Sequence, residues 1–293
     1  MHHASTVTAI ALFGLRAYWV WKARSHAGGT TEVDLASTLP GSPPCQPAPW
    51  QSRMVLPGEG PIDLDGLKLP AGHLLAGYPA GLPVLWVTDD AVDHQLWNAA
   101  RIRYGATGLW PLLVAEDRRF GPGLGDLLPD EASAADPIDA TELLRGWWAA
   151  MDGFGEGAFP GLAEPSSSWQ VAPGPPNLEQ LAGRRLGLAA VELPSDVLSV
   201  VGFAGAINHT NHVRELTSVV RRWEAIFGGV VVGMTPDTLQ LWSPVAPVAL
   251  EDCRRLAGEL LAFCPGNIQD GGEGLDDYQR TIVGRHLWTF WWD

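Results

Sequence analysis

Apolar residues recur every three to four positions along two long stretches of the chain and run in short uninterrupted blocks elsewhere. Over 208–227, Leu216, Val219, Val220, Trp223, Ile226 and Phe227 form one stripe. Arg214, Glu215, Arg221, Arg222 and Glu224 lie largely off it. This spacing predicts an amphipathic helix, stopped by Gly228-Gly229. A similar period over 248–263 predicts a second, with Leu256, Leu260 and Phe263 inward and Cys264-Pro265-Gly266 as its end. Shorter helices are expected over 139–151, carrying Leu143, Leu144, Trp147 and Trp148, and near 275–283. The short apolar blocks at 82–87, 108–114, 186–193 and 197–201 read as strands, with Pro111 favouring a sheet edge or an irregular start. Blocks 230–234 and 238–242 read as a hairpin around Thr235-Pro236-Asp237. Thr88-Asp89-Asp90 is placed to cap a helix bearing Val92, Leu96, Ala99 and Ala100.

The chain closes with Leu287-Trp288-Thr289-Phe290-Trp291-Trp292-Asp293. Termini fray unless something ties them down. A run this aromatic is therefore expected to be a strand packed into a core. In the adjacent pairs Trp147-Trp148 and Trp291-Trp292, neighbouring side chains diverge, so one member of each pair is expected to be exposed or to sit between domains. Strands bunch with helices rather than alternating strictly, which predicts an α+β fold. The expected form is two packed lobes with mixed or antiparallel sheets and amphipathic helices on one face. Residues 1–54 read as an extension and linker, 55–165 as an amino-terminal α/β lobe and 176–293 as a carboxy-terminal α+β domain. The Gly/Pro/Ser-dense segment 152–176 contains the boundary.

The chain has 293 residues, 46% of them hydrophobic and 18% charged, which suits a sizeable core. Its 33 acidic against 19 basic residues give a net charge of −14. That balance argues against nucleic acid and anionic lipid and favours a basic protein partner. The apolar stretch 7–21 is interrupted by Arg16, so a spanning helix is not expected and a membrane tether is the weaker reading. Three cysteines, Cys45, Cys253 and Cys264, contain no CxxC pair. Cys253 and Cys264 would lie about 16 Å apart along a helix, beyond disulfide reach, which points to a reduced, cytoplasmic protein.

Several constellations are candidates for chemistry. His209 and His212 are three residues apart and would share a helix face on which both could reach a metal, with Glu192 or Asp196 as a third ligand. First-turn exposure is the plainer reading, and no metal or cofactor is expected. Asn208 would either cap the helix or hold a ligand at its positive end. Asn267, Gln269, Asp270 and Tyr278, with Asp293, would line a pocket against the aromatic strand or satisfy loop backbone, and Trp291 is a ligand or interface candidate. Cys264 at a helix carboxy-terminus is poorly placed for a reactive thiolate. The chain contains no GxSxG, GxxxxGK[ST], HExxH or GxGxxG motif.

From Asn208 onward the chain resembles a family known as domain of unknown function 4253, common in actinobacteria. The resemblance rests on Asn208, Trp223-Glu224-Ala225-Ile226-Phe227-Gly228, Asp237-Thr238-Leu239, Phe263-Cys264-Pro265, Asn267, Gln269, Tyr278 and the closing Trp288-x-Phe290-Trp291-Trp292-Asp293. Ile226 and Gly266 stand where the family often has Arg and Asp, so the charge pair implied there is missing. The family lends no activity. The expected function is a non-enzymatic binding protein, toxin-neutralising or regulatory. The alternative is a small-molecule enzyme with an inter-lobe pocket lined by Asn208, His209, Asp270, Tyr278 and Asp293.

Overall fold

The computed structural model describes residues 55–77, 82–115, 138–151, 158–267 and 274–292. In chain order these form β1 (Ile62–Leu64), β2 (Leu67–Leu69), β3 (Gly72–Ala76), β4 (Pro83–Thr88), α1 (Gln95–Arg101), α2 (Tyr104–Thr107) and β5 (Leu109–Val114). Then come α3 (Ala140–Ala150), β6 (Gln170–Val171), β7 (Arg185–Ala190), α4 (Val197–Val201) and α5 (Val213–Phe227). The chain continues with β8 (Val230–Met234), β9 (Thr238–Trp242), β10 (Val245–Ala246), α6 (Leu250–Phe263), α7 (Leu275–Thr281) and β11 (Leu287–Trp291). Seven strands make one mixed sheet in the order β11-β9-β8-β5-β7-β4-β3. Only β5 and β8 pair in parallel; the other neighbours run antiparallel. The fold is α+β. The sheet is continuous across the boundary expected at 152–176, because β5 and β7 pair from Leu109↔Ala190 to Val114↔Arg185. The described residues all fall in one compact unit beginning at Met54.

One face of the sheet is closed by helices. Trp223 of α5 stacks on Phe290 of β11, with centroids 5.7 Å apart and planes 11° apart, and meets Trp288 edge-on. Phe263 of α6 meets Trp223, Phe290 and Trp292 edge to face. The register puts Leu239 beside Phe290 and Leu241 beside Trp288, so these side chains share that face. The expected closing strand is therefore present, with Trp288, Phe290 and Trp292 buried. The outcome for the tryptophan pairs follows the alternation: Trp292 and Trp148 are buried, Trp291 is 40% exposed and Trp147 is half-buried.

Several local expectations are corrected. Residues 197–201 form α4, not a strand; a short apolar run does not distinguish the two, and the turn at Pro194–Asp196 leads the chain into a helix that stops at Gly202, φ 68°. Helix α5 begins at Val213, not 208. Thr210 accepts from His212 N and donates to Glu215, which fixes an extended entry at His212. Thr88 does not cap α1. Its hydroxyl donates to Asp90 O and accepts from Leu186 N, bracing β4 on β7, while Asp93 accepts from Gln95 N. Pro111 lies in the interior strand β5. Its carbonyl accepts from Trp97 Nε1, and the pairing with β8 covers only Leu113 and Val114, so its missing N–H falls outside that short ladder. The β1–β2 hairpin was not anticipated; Asp65 (φ 50°) and Gly66 (φ 81°) form its turn, and Asp-Gly was the available signal.

Candidate functional site

The described residues among those singled out in the sequence take largely structural places. Asn267 is buried and donates from Nδ2 to the Tyr278 hydroxyl at 3.0 Å. Gln269, Asp270 and Asp293 lie outside the described residues. Asn208 is exposed in the turn before α5, where Thr210 rather than Asn208 organises the helix entry. His209 packs on Trp147 with ring centroids 4.6 Å apart. Its Nε2 is shut off from solvent without a partner, and burial lowers its pKa to about 4, so the ring is neutral. His212 is exposed at the extended residue before α5, so the two histidines do not share a helix face. Asp196, offered as a third ligand, pairs with Arg221. Among the described residues no group of three or more His, Cys, Asp or Glu side chains is placed to hold a metal.

Other positions of the resemblance bind the fold together. Glu224 accepts from Ser195 N at 2.9 Å, clasping the turn before α4; burial pushes its carboxyl up against the Ser195 hydrogen bonds. Tyr104 donates to the carbonyls of Val191 and Glu192, and burial, then the carboxylates of Glu224, Asp196 and Glu192, raise its phenol above the ordinary value. The Cys264 thiol is buried and donates to Trp291 O at 3.1 Å. A Cβ on Gly266 would stand 2.8 Å from the same carbonyl, so the residue after Cys264-Pro265 is confined to glycine by the closing strand.

Sequence reasoning missed Glu259, which is fully buried in α6. It accepts from Ala163 N (2.6 Å), Trp223 Nε1 (2.6 Å) and Arg222 Nη1 (3.1 Å). Burial pushes its carboxyl up, while Arg222, Trp223 and Ala163 favour the ionised form. The available signal was a glutamate on the apolar stripe between Leu256 and Phe263.

Among the described residues, polar groups and an exposed aromatic meet at the end of the sheet where β5, β8 and β11 terminate. There Asp237, in the β8–β9 turn, accepts from Thr235 Oγ1 (2.7 Å) and Thr238 Oγ1 (2.9 Å). Burial alone would raise its carboxyl, but these bonds and one from the Trp291 side chain hold it below its ordinary value. Trp291 pairs with Thr238 and faces away from α5 and α6. On the same face Gln240 pairs with Thr289, and Arg184 Nη1 donates to Gln240 Oε1 at 2.9 Å. An ionised carboxylate thus lies beside an open indole, and a half-buried guanidinium lies a strand away.

Residues 185–293 match the family model described as Domain of unknown function (DUF4253). The chain matches no curated protein and no solved structure. Among the described residues no helix is long and apolar enough to cross a membrane; 7–21 lie outside them.

Proposed function

We propose that this protein is a non-catalytic binding module that docks a basic segment of a protein partner against Trp291 and Asp237. The observation that carries the reading is the contrast within β11: its other aromatics are buried, whereas Trp291 stands 40% exposed beside a carboxylate held ionised. A Lys or Arg side chain is attracted to an open indole face and forms a charge-assisted hydrogen bond with an adjacent carboxylate. The net charge of −14 steers a basic partner toward the surface. Such a module acts by occluding its partner, as a neutralising or regulatory protein does. A reducing cytoplasmic setting accords with the buried thiols of Cys253 and Cys264. The enzyme alternative has less support, since Asn267 and Tyr278 are buried and hydrogen-bonded to one another.

The test is binding of a fluorescent Lys/Arg-rich peptide to the full chain, compared with Trp291→Ala, Asp237→Asn and Glu59→Gln. Glu59 is exposed elsewhere and its variant removes the same charge as Asp237→Asn. Trp291→Ala and Asp237→Asn are expected to weaken binding at least tenfold and Glu59→Gln hardly at all. Equal effects of Asp237→Asn and Glu59→Gln would reduce the attraction to net charge and overturn the reading.

A further inference from the structure

We infer that the basic segment proposed above binds as an added strand, running antiparallel along the free edge of β11, an inference that rests on that docking. The sheet ends at β11, which has β9 on one side and no strand on the other. Hydrogen-bond phase shows which main-chain groups face the open side. Ser243 N donates to His286 O (2.8 Å) and Trp292 N to Asp237 O (3.0 Å), at the two ends of the β9–β11 ladder. The register runs one to one between them, from Leu287↔Trp242 to Trp291↔Thr238. Bonded positions alternate in an antiparallel pair. Trp288 and Phe290 therefore turn their N–H and C=O toward β9, and Leu287, Thr289 and Trp291 turn theirs outward. The Trp291 carbonyl fits this phase, since it meets the Cys264 thiol (3.1 Å) on the outer side. Cys264 and Gly266 close the edge at that carbonyl. Before it, among the described residues, no group beyond β9 bonds to the main chain of Leu287 or Thr289, nor to Trp291 N.

Free edges usually carry a device against pairing: a charge, a proline, a bulge or a cover. The opposite edge has two. There β3 starts with Gly72 exchanging both main-chain bonds with Gly60 and ends in a register shift at Leu75/Ala76. In β11 there is no charged residue, proline or register shift, and Thr289 and Trp291 are exposed. Such an edge accepts an extended segment by main-chain pairing. Charge decides the occupant. A residue paired with Trp291 across the new ladder would set its side chain on the same sheet face, roughly 5 Å away between Cβ atoms. Thr238 and the Asp237 carboxylate lie on the other side of the indole. A Lys or Arg at that place lies over the indole and reaches toward the carboxylate. The bonded phase adds a constraint: the residues that present basic side chains to this face are the ones that give their N–H and C=O to β11. A second copy of the chain would instead bring its own net charge of −14 to the edge.

The probe is a peptide of alternating Lys and Thr, titrated into the full chain while amide hydrogen exchange is read residue by residue. Without peptide, the Leu287, Thr289 and Trp291 amides are expected to exchange freely, and those of Trp288 and Phe290 slowly. Saturating peptide is expected to slow the first three at least tenfold. Methylating the peptide's Lys main-chain nitrogens keeps every charge and is expected to weaken binding at least tenfold; methylating its Thr nitrogens is expected to change it little. Thr289→Pro removes an outward N–H that β9 does not use, and is expected to fold and to bind at least tenfold more weakly. The methylated peptides decide the matter if that variant does not fold. Binding that leaves the three amides exchanging, or that is indifferent to Lys methylation, would overturn the added strand and leave the docking at Trp291 standing. No binding at all would overturn both. Protection of the three amides before peptide is added would show the edge already covered, by a second copy if it rises with protein concentration, and would overturn the assignment.

Discussion

The two faces of the sheet spend similar residues in opposite ways. Beneath α5 and α6, Trp223, Phe263, Trp288 and Phe290 interlock, and the one charge admitted, Glu259, is met by three donors. On the far face at the β9–β11 side, Trp291 and Thr289 are open to solvent, and Arg184 is held by Gln240 and the Leu113 carbonyl. The three donors on Glu259 mark the first region as structural, since a buried charge is costly unless paired. Exposure of an indole beside a carboxylate is what distinguishes the second. The lesson is that, within one strand, alternate residues belong to different physical problems.

The sharpest way to break this contrast is to open the closed face. Trp223→Ala removes a fully buried indole and leaves Glu259 short of a donor, and is expected to cost about 3–5 kcal/mol in denaturant unfolding. A loss under about 1 kcal/mol would mean the helices do not depend on this stack.

The next effect is set by pH. The folded-state pKa of His209, about 4, lies below its ordinary value of 6.5, so its contribution is present above pH 6.5 and lost as pH falls through 4. Since the residue is only half-buried, the loss is expected to be on the order of 2 kcal/mol. Unfolding midpoints measured from pH 7 to 4 should fall less steeply in His209→Gln than in the parent chain. Parallel slopes would show that the ring on Trp147 reaches water.

Gly266→Ala sets a methyl against Trp291 O and is expected to cost about 1–3 kcal/mol, since overpacking forces the closing strand to shift. Thermal unfolding of this variant reads how firmly the Cys264–Pro265 turn clamps β11. The smallest effect is expected on the open face. Trp291→Ala should change stability by less than about 1 kcal/mol, while removing the indole on which the proposed partner docks. A loss as large as that of Trp223→Ala would erase the distinction between the faces.

Much of this architecture was legible beforehand. The stripes of α5 and α6, the β8–β9 hairpin and the closing strand rest on local periodicity, which survives whatever the rest of the chain does. Helix α4 was not legible, because Val197–Val201 is too short to show a period. The candidate site was legible only in part. Trp291 was named and Asp237 was quoted within a motif, but Arg184 and Gln240 are 56 positions apart, and no local pattern brings them together.

By itself the sequence determined which residues were apolar, at what spacing, and that the aromatic end had to be packed. It also carried the acidic balance that makes a basic partner favourable at long range. Tertiary structure decided which side of each strand was covered. Alternation divides β11 into Trp288 and Phe290 against Thr289 and Trp291, but it assigns neither set to the inside. That assignment came from where α5 and α6 docked. On the opposite side, strand register, a long-range property, set Gly233, Gln240 and the half-buried guanidinium of Arg184 together beside Leu181.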